Sequence, residues 1–155
     1  MFPPREATLE SRYCVPCWVA RRTLLISNSM SQVFSKHFLV RPQDLNHAGT
    51  LFGGTMMALA DEMAFIAATL TYPNCTFVTK LFHQFDFICG PREGEIVQID
   101  AEIVHTGRTS VRVAVKATHA LNHREIFKTE AVLVNAKDGR SMPIPRMDGE
   151  MTTPE

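Results

Sequence analysis

The polar and apolar positions of this chain follow two different rules. Between residues 55 and 70 the order is Thr-Met-Met-Ala-Leu-Ala-Asp-Glu-Met-Ala-Phe-Ile-Ala-Ala-Thr-Leu, and twelve of those sixteen residues are apolar. Ala, Leu and Met are strong helix formers. The apolar residues do not keep to one stripe, which predicts a helix covered on most of its sides. Gly53 and Gly54 open this helix and Pro73 closes its exit. It is too short for a membrane span and carries two carboxylates, Asp61 and Glu62.

Elsewhere apolar and polar residues alternate, the mark of half-buried strands. Strands are predicted over residues 33–40, 77–88, 95–106, 110–120 and 125–135. In the second of these Phe77, Leu81, Phe85 and Phe87 are expected to share a face. In the third, Val97, Ile99, Ala101 and Ile103 oppose Gln98, Asp100 and Glu102. Short hairpin-like joins follow at residues 91–94, 106–108 and 122–124. The order is strand, loop, helix, then four antiparallel strands, an α+β arrangement. A flat sheet would need an amphipathic helix. An all-round apolar helix favours a curved antiparallel β-sheet wrapped around it.

Length and charge narrow the range of functions. At 155 residues the chain suits one domain. Sixteen basic residues balance sixteen acidic ones. That balance argues against broad nucleic-acid binding and gives no attraction to an anionic membrane surface. Four cysteines, of which Cys14 and Cys17 form a CxxC, supply neither a disulfide framework nor a second ligand pair for zinc, so no metal is expected. Reduced thiols fit the cytoplasm best. Residues 1–30 carry Arg5, Arg12, Arg21 and Arg22, three prolines and no sustained apolar period. They read as a loosely ordered extension, followed by a domain over residues 31–146 and a tail over 147–155.

The chemistry is expected where the helix begins. The segment Asn46-His47-Ala48-Gly49-Thr50-Leu51-Phe52-Gly53-Gly54 is a polar, glycine-rich loop. A helix N-terminus presents free N–H groups and partial positive charge, so it can hold a developing oxyanion. Asp61 stands two turns further on, with Met57, Ala58, Ala64 and Phe65 as its helical neighbours. A carboxylate on such a surface is costly unless partnered or functional. Burial there would raise its pKa towards the range useful for a base. Read from the residues alone, a structural carboxylate bonded to a neighbouring loop is an equal alternative. Glu62 points about 100° away and reads as a salt-bridged rim residue.

The run from Asn46 through Gly53 and Gly54 to Asp61 resembles the signature of hotdog-fold acyl-coenzyme A thioesterases. Further similar pieces are Phe87-Ile88 leading to Pro91, Gly107-Arg108-Thr109-Ser110, and Asp138-Gly139-Arg140-Ser141 before Pro143-Ile144-Pro145. The likeness covers roughly residues 33–145. It implies a hotdog fold, a central helix wrapped by an antiparallel sheet. It implies hydrolysis of acyl-coenzyme A to a free acid and coenzyme A, with no cofactor beyond that substrate. Asp61 would activate water or attack the carbonyl, and Asn46, from the opposite subunit, would orient the water or the thioester. The amides near Gly53 and Gly54 would hold the thioester oxygen. Arg108, Thr109, Ser110 and Arg140 would meet the pantetheine and phosphate end. A homodimer is the smallest assembly implied, and a hexamer built as a trimer of dimers is the larger one. One departure is that Pro91 falls a position late, because Cys89-Gly90 precede it; the change is expected to reshape a turn and leave catalysis alone.

Two other functions share this fold. A hydratase or dehydratase would use a histidine, and His47 lies in the right loop. A non-catalytic acyl-CoA-binding protein, an acyl-CoA-sensing regulator, would need a DNA-reading module, which thirty residues with Pro3, Pro4 and Pro16 cannot form as a helix-turn-helix. Met56, Met57, Met63 and Phe65 could line an acyl tunnel between helix and sheet, although core packing accounts for most such residues.

Overall fold

The structure, a computed structural model, describes residues 32–145. The N-terminal extension with Cys14 and Cys17, and the tail over 147–155, lie outside the described residues. Strand β1 (Val33–Leu39) leads through a short 3-10 turn at Pro42–Asp44 to helix α1 (Gly53–Thr71). Six strands follow: β2 (Phe77–Phe82), β3 (Asp86–Phe87), β4 (Ile96–Thr106), β5 (Ser110–His119), β6 (Glu125–Lys137) and β7 (Arg140–Ser141). The sheet runs β1-β4-β5-β6-β2, antiparallel throughout, with β3 and β7 pairing β6.

This is the expected helix against a curled antiparallel sheet. One row of the register, Phe34–Ala101–Val115–Thr129, shows how alternate residues turn inward. Val97, Ile99, Ala101, Val111, Val113 and Val115 are buried from the strands, and Met56, Leu59, Ala60, Met63, Ala64, Ala67 and Ala68 from the helix. The four buried alanines recur at helical spacing, so the sheet closes tightly on that face.

Two expectations need correction. The helix was expected to be covered on most sides, yet its own sheet covers one face. On the other, Met57 is 42% exposed, Phe65 46% and Leu70 64%. The predicted strand over 77–88 is two strands, and the register of β2 against β6 shifts between Thr79 and Leu81. Phe77, Thr79 and Phe82 pair with the inward Asn135, Leu133 and Ala131, whereas Leu81 pairs with Val132 and is 40% exposed. The bulge therefore puts Leu81 on the face opposite Phe77, because one extra residue reverses the alternation.

Candidate active site

The loop before α1 is built around the carboxamide of Asn46. Its Oδ1 accepts the backbone N–H of Ala48 at 2.8 Å and of Thr50 at 3.2 Å. Its Nδ2 donates to Thr50 Oγ1 at 3.1 Å. The backbone closes the same loop, with Asn46 N–H donating to the Thr50 carbonyl at 2.7 Å. Two converging backbone donors fix which end of the amide is oxygen. Asn46 Oδ1 is thus occupied, and the second hydrogen of Nδ2 is its free polar group.

Helix α1 starts with no side-chain cap. Met56 N–H donates to the Phe52 carbonyl at 3.1 Å, so the amides of Gly53, Gly54 and Thr55 precede the first intrahelical bond. Phe52 lies over Gly54, where a β-carbon would come within 2.5 Å of the ring. Glycine at that position keeps the approach to these amides narrow and side-chain-free.

Asp61 occupies the exposed face of α1, half-buried beside Met57 and Phe65. Thr79 Oγ1 donates to its Oδ1 at 2.6 Å. Thr79 was not singled out in the sequence, although it precedes the bulge and alternation places it on the same face as Phe77. The burial expected of Asp61 is incomplete in the chain by itself. Glu62 does pair at the rim, with Lys36 Nζ at 2.5 Å from its Oε2.

No hydrogen bond among the described residues joins Asn46 to Asp61. The helix geometry separates Asp61 from the helix-start amides as well. Asp61 is roughly 10 Å along the axis from Gly54, at about 1.5 Å per residue. The N-terminal N–H groups point out of the helix start, away from Asp61. An oxygen bound on them is therefore on the order of 10 Å from the Asp61 carboxylate of the same chain. Within one chain the helix-start amides and the Asp61 carboxylate are thus set apart along the axis.

The remaining candidates sit at the far end of the helix. Arg108, Thr109 and Ser110 form the β4–β5 hairpin, and the carbonyls of Thr109 and Arg108 accept the N–H groups of Asn135 and Ile144. Arg140 pairs with Lys137 in the β6–β7 hairpin beside them. Tyr72 Oη, just after the helix, meets Thr106 Oγ1 at 2.9 Å, which marks this as the C-terminal end of α1. With α1 about 28 Å long, these residues stand apart from Gly53 and Gly54. His47 is exposed, and no bond links it to a carboxylate among the described residues. The same residues hold no cluster of three or more His, Cys, Asp or Glu suited to a metal ion. None of their helices is long and apolar enough to cross a membrane.

Comparison with known proteins supplies the family. Residues 48–124 match the thioesterase superfamily. The cytosolic acyl coenzyme A thioester hydrolase of Rattus norvegicus is 28% identical over 116 residues, 72% of this chain. This chain spans only 30% of that rat protein. An acyl-CoA hydrolase from Staphylococcus aureus, solved with butyryl coenzyme A, coenzyme A and coenzyme A disulfide, is 32% identical. It superposes with a TM-score of 0.66, covering 73% of this chain and 69% of its own. Structures of that enzyme also exist with an aspartate, an asparagine and a threonine each changed to alanine. There the aspartate follows the asparagine by fifteen positions, and the threonine follows the aspartate by seventeen. A hexameric acyl-CoA thioesterase is 28% identical, with a TM-score of 0.66 over 77% of this chain and 80% of its own. With this fold, this loop and these relatives, the chain belongs to the hotdog-fold acyl-CoA thioesterases of the thioesterase superfamily.

Proposed function

We propose that the protein hydrolyses the thioester of acyl-coenzyme A, giving a free carboxylic acid and coenzyme A, in a site that two copies of the chain build together. The observation that carries this reading is the Asp61–Thr79 pair, set on an apolar helix face that the chain itself leaves open. One copy supplies Asp61 and Thr79. The other supplies Asn46 and the free amides of Gly53 and Gly54, the amides lying on the order of 10 Å along α1 from their own chain's Asp61. Asn46 and Asp61 are separated by fifteen positions, as are the asparagine and aspartate substituted in the Staphylococcus aureus hydrolase. Thr79 follows Asp61 by eighteen, one more than in that enzyme.

In this mechanism Asp61 takes a proton from water, and the hydroxide adds to the thioester carbon. The developing oxyanion is held by the helix-start amides and by Asn46 Nδ2. Collapse breaks the carbon–sulfur bond, and the departing thiolate takes up the proton. Water and acyl-CoA are the only reactants, so no cofactor or metal is required. Closing two copies over the Met57–Phe65 face excludes bulk water and completes the burial of Asp61. Arg108, Thr109, Ser110 and Arg140 serve the pantetheine and phosphates, since the hairpin end lies on the order of 15 Å along the helix from Asp61. A homodimer is the minimal active unit, and a trimer of dimers is compatible with the hexameric relative.

Incubation with a panel of acyl-CoA substrates tests the reading directly. Release of free thiol supports hydrolysis. Loss of enoyl absorbance without thiol would instead indicate the hydratase reaction, and binding without either change an acyl-CoA-binding protein.

Two variants probe individual roles. Thr79→Val removes a hydrogen bond to a charged acceptor, worth about 1.5–3 kcal/mol. Turnover is expected to fall about tenfold or more with KM little changed, read from initial rates. Asn46→Asp retains the size of the side chain but places an acceptor where the free Nδ2 hydrogen was. It should reduce kcat as severely as Asn46→Ala; near-normal kcat for Asn46→Asp would show that Asn46 does not donate to the thioester oxygen.

A further inference from the structure

The turn at Cys89-Gly90-Pro91 was expected to have no bearing on catalysis. It packs directly against the loop that carries Asn46. Leu51 N–H donates to the Pro91 carbonyl at 2.7 Å, and Pro91 is fully buried. At Gly90 an added β-carbon would lie 2.8 Å from Thr50 Cβ, 2.9 Å from Oγ1 and 3.1 Å from Cγ2. Gly90 is absent from the residues with positive φ. Its backbone would therefore accept an L-residue, and only the closeness of Thr50 demands glycine.

Neither side of this contact can easily withdraw. On one side Ile88 and Cys89 N–H both donate to the Ile126 carbonyl, and Cys89 Sγ donates to the Glu125 carbonyl at 3.0 Å. The turn is thus tied to β6. On the other side Thr50 is β-branched, with little rotamer freedom. It is also the residue that accepts from Asn46 Nδ2 and donates its own N–H to Oδ1. A shift of Thr50 is therefore a shift of the Asn46 carboxamide.

We propose that Gly90 and Thr50 are positioning residues for the thioester-binding amide: Gly90 permits the close seat of Thr50, and Thr50 aims the free Nδ2 hydrogen of Asn46. This rests on the reading of Asn46 as a donor to the thioester oxygen. Neither residue touches substrate; each acts through the orientation of Asn46. Misplacement by a fraction of the 2.8 Å approach is enough to matter, because transition-state hydrogen bonds tolerate little displacement.

The test compares steady-state kinetics and melting temperature for Gly90→Ala, Thr50→Val, Thr50→Ser, the Gly90→Ala/Thr50→Val double variant and Asn46→Ala. Gly90→Ala and Thr50→Val should each lower kcat about tenfold or more, with KM within about twofold. Thr50→Ser keeps Oγ1 and should retain near-normal kcat. The double variant should be little worse than either single, since both act through one amide. If Gly90→Ala does not fold, the Val and Ser variants at Thr50 decide the matter. Folded Gly90→Ala and Thr50→Val enzymes with normal kcat, beside an inactive Asn46→Ala, would overturn the proposal and leave the role of Asn46 standing. An active Asn46→Ala would instead remove the reading on which it rests. A raised KM with intact kcat in the two positioning variants would overturn it as well, by making them binding residues.

Discussion

Asp61→Ala should lower turnover by at least about a hundredfold while the fold survives, the loss expected when a positioned base is removed. That is ~2.7 kcal/mol of transition-state stabilisation at 1.36 kcal/mol per tenfold. The fold should tolerate the change because Asp61 is not part of the buried core. Its hydrogen bond is to Thr79, and the packing of α1 on the sheet comes from the opposite face, through Met56, Met63 and the buried alanines. Asp61→Asn is the sharper variant. It keeps an oxygen for the Thr79 hydroxyl and removes only the charge that accepts a proton. Turnover should fall as far as in the alanine variant, with the melting temperature closer to the parent's. A folded Asp61→Asn enzyme with near-normal turnover would remove Asp61 from the mechanism.

The helix and the strand order were legible because they depend on local rules. Residues 55–70 are dense in Ala, Leu and Met, and β4 and β5 alternate cleanly, so periodicity alone locates them. The same rule failed in β2. A bulge between Thr79 and Leu81 carries no composition signal, yet it decides which side chains face α1. Leu81 was put on the wrong face for that reason, whereas Thr79, ahead of the bulge, shares the face of Phe77 and was missed because a hydroxyl in a strand carries no distinguishing signal.

The site was legible in part. Asn46, Gly53, Gly54 and Asp61 announce themselves through residue type: a glycine-rich helix start and a carboxylate on an apolar helix. The axial distance from Gly53 and Gly54 to Asp61 is a property of the folded helix. The apolar surface around Asp61 was expected to be covered by the chain's own sheet, and it is not. Met57, Phe65 and Leu70 remain open because the sheet's inward rows are already filled by the alanine face of α1. The link from Gly90 through Thr50 to Asn46 joins residues forty positions apart, and it arises from packing that no local pattern encodes.

Mixing two inactive variants tests the proposed two-chain site. Asn46→Ala and Asp61→Ala homodimers each carry a defect in both composite sites. In a mixed dimer one composite site collects both defects and the other collects neither. With equal amounts and random pairing, half of the dimers are mixed, and half of their sites are intact. Activity should therefore return to about a quarter of the parent's, given a closed two-fold interface. The experiment requires subunit exchange, verified by mass or by differently tagged chains, before thiol release is measured. The expected recovery follows from the proposed two-chain site, in which the helix-start amides of a chain, on the order of 10 Å along α1 from that chain's own carboxylate, face the Asp61 of a second chain. Each parent preparation taken through the same exchange with itself should stay inactive. Confirmed exchange without recovery would mean that Asn46 and Asp61 act within one chain.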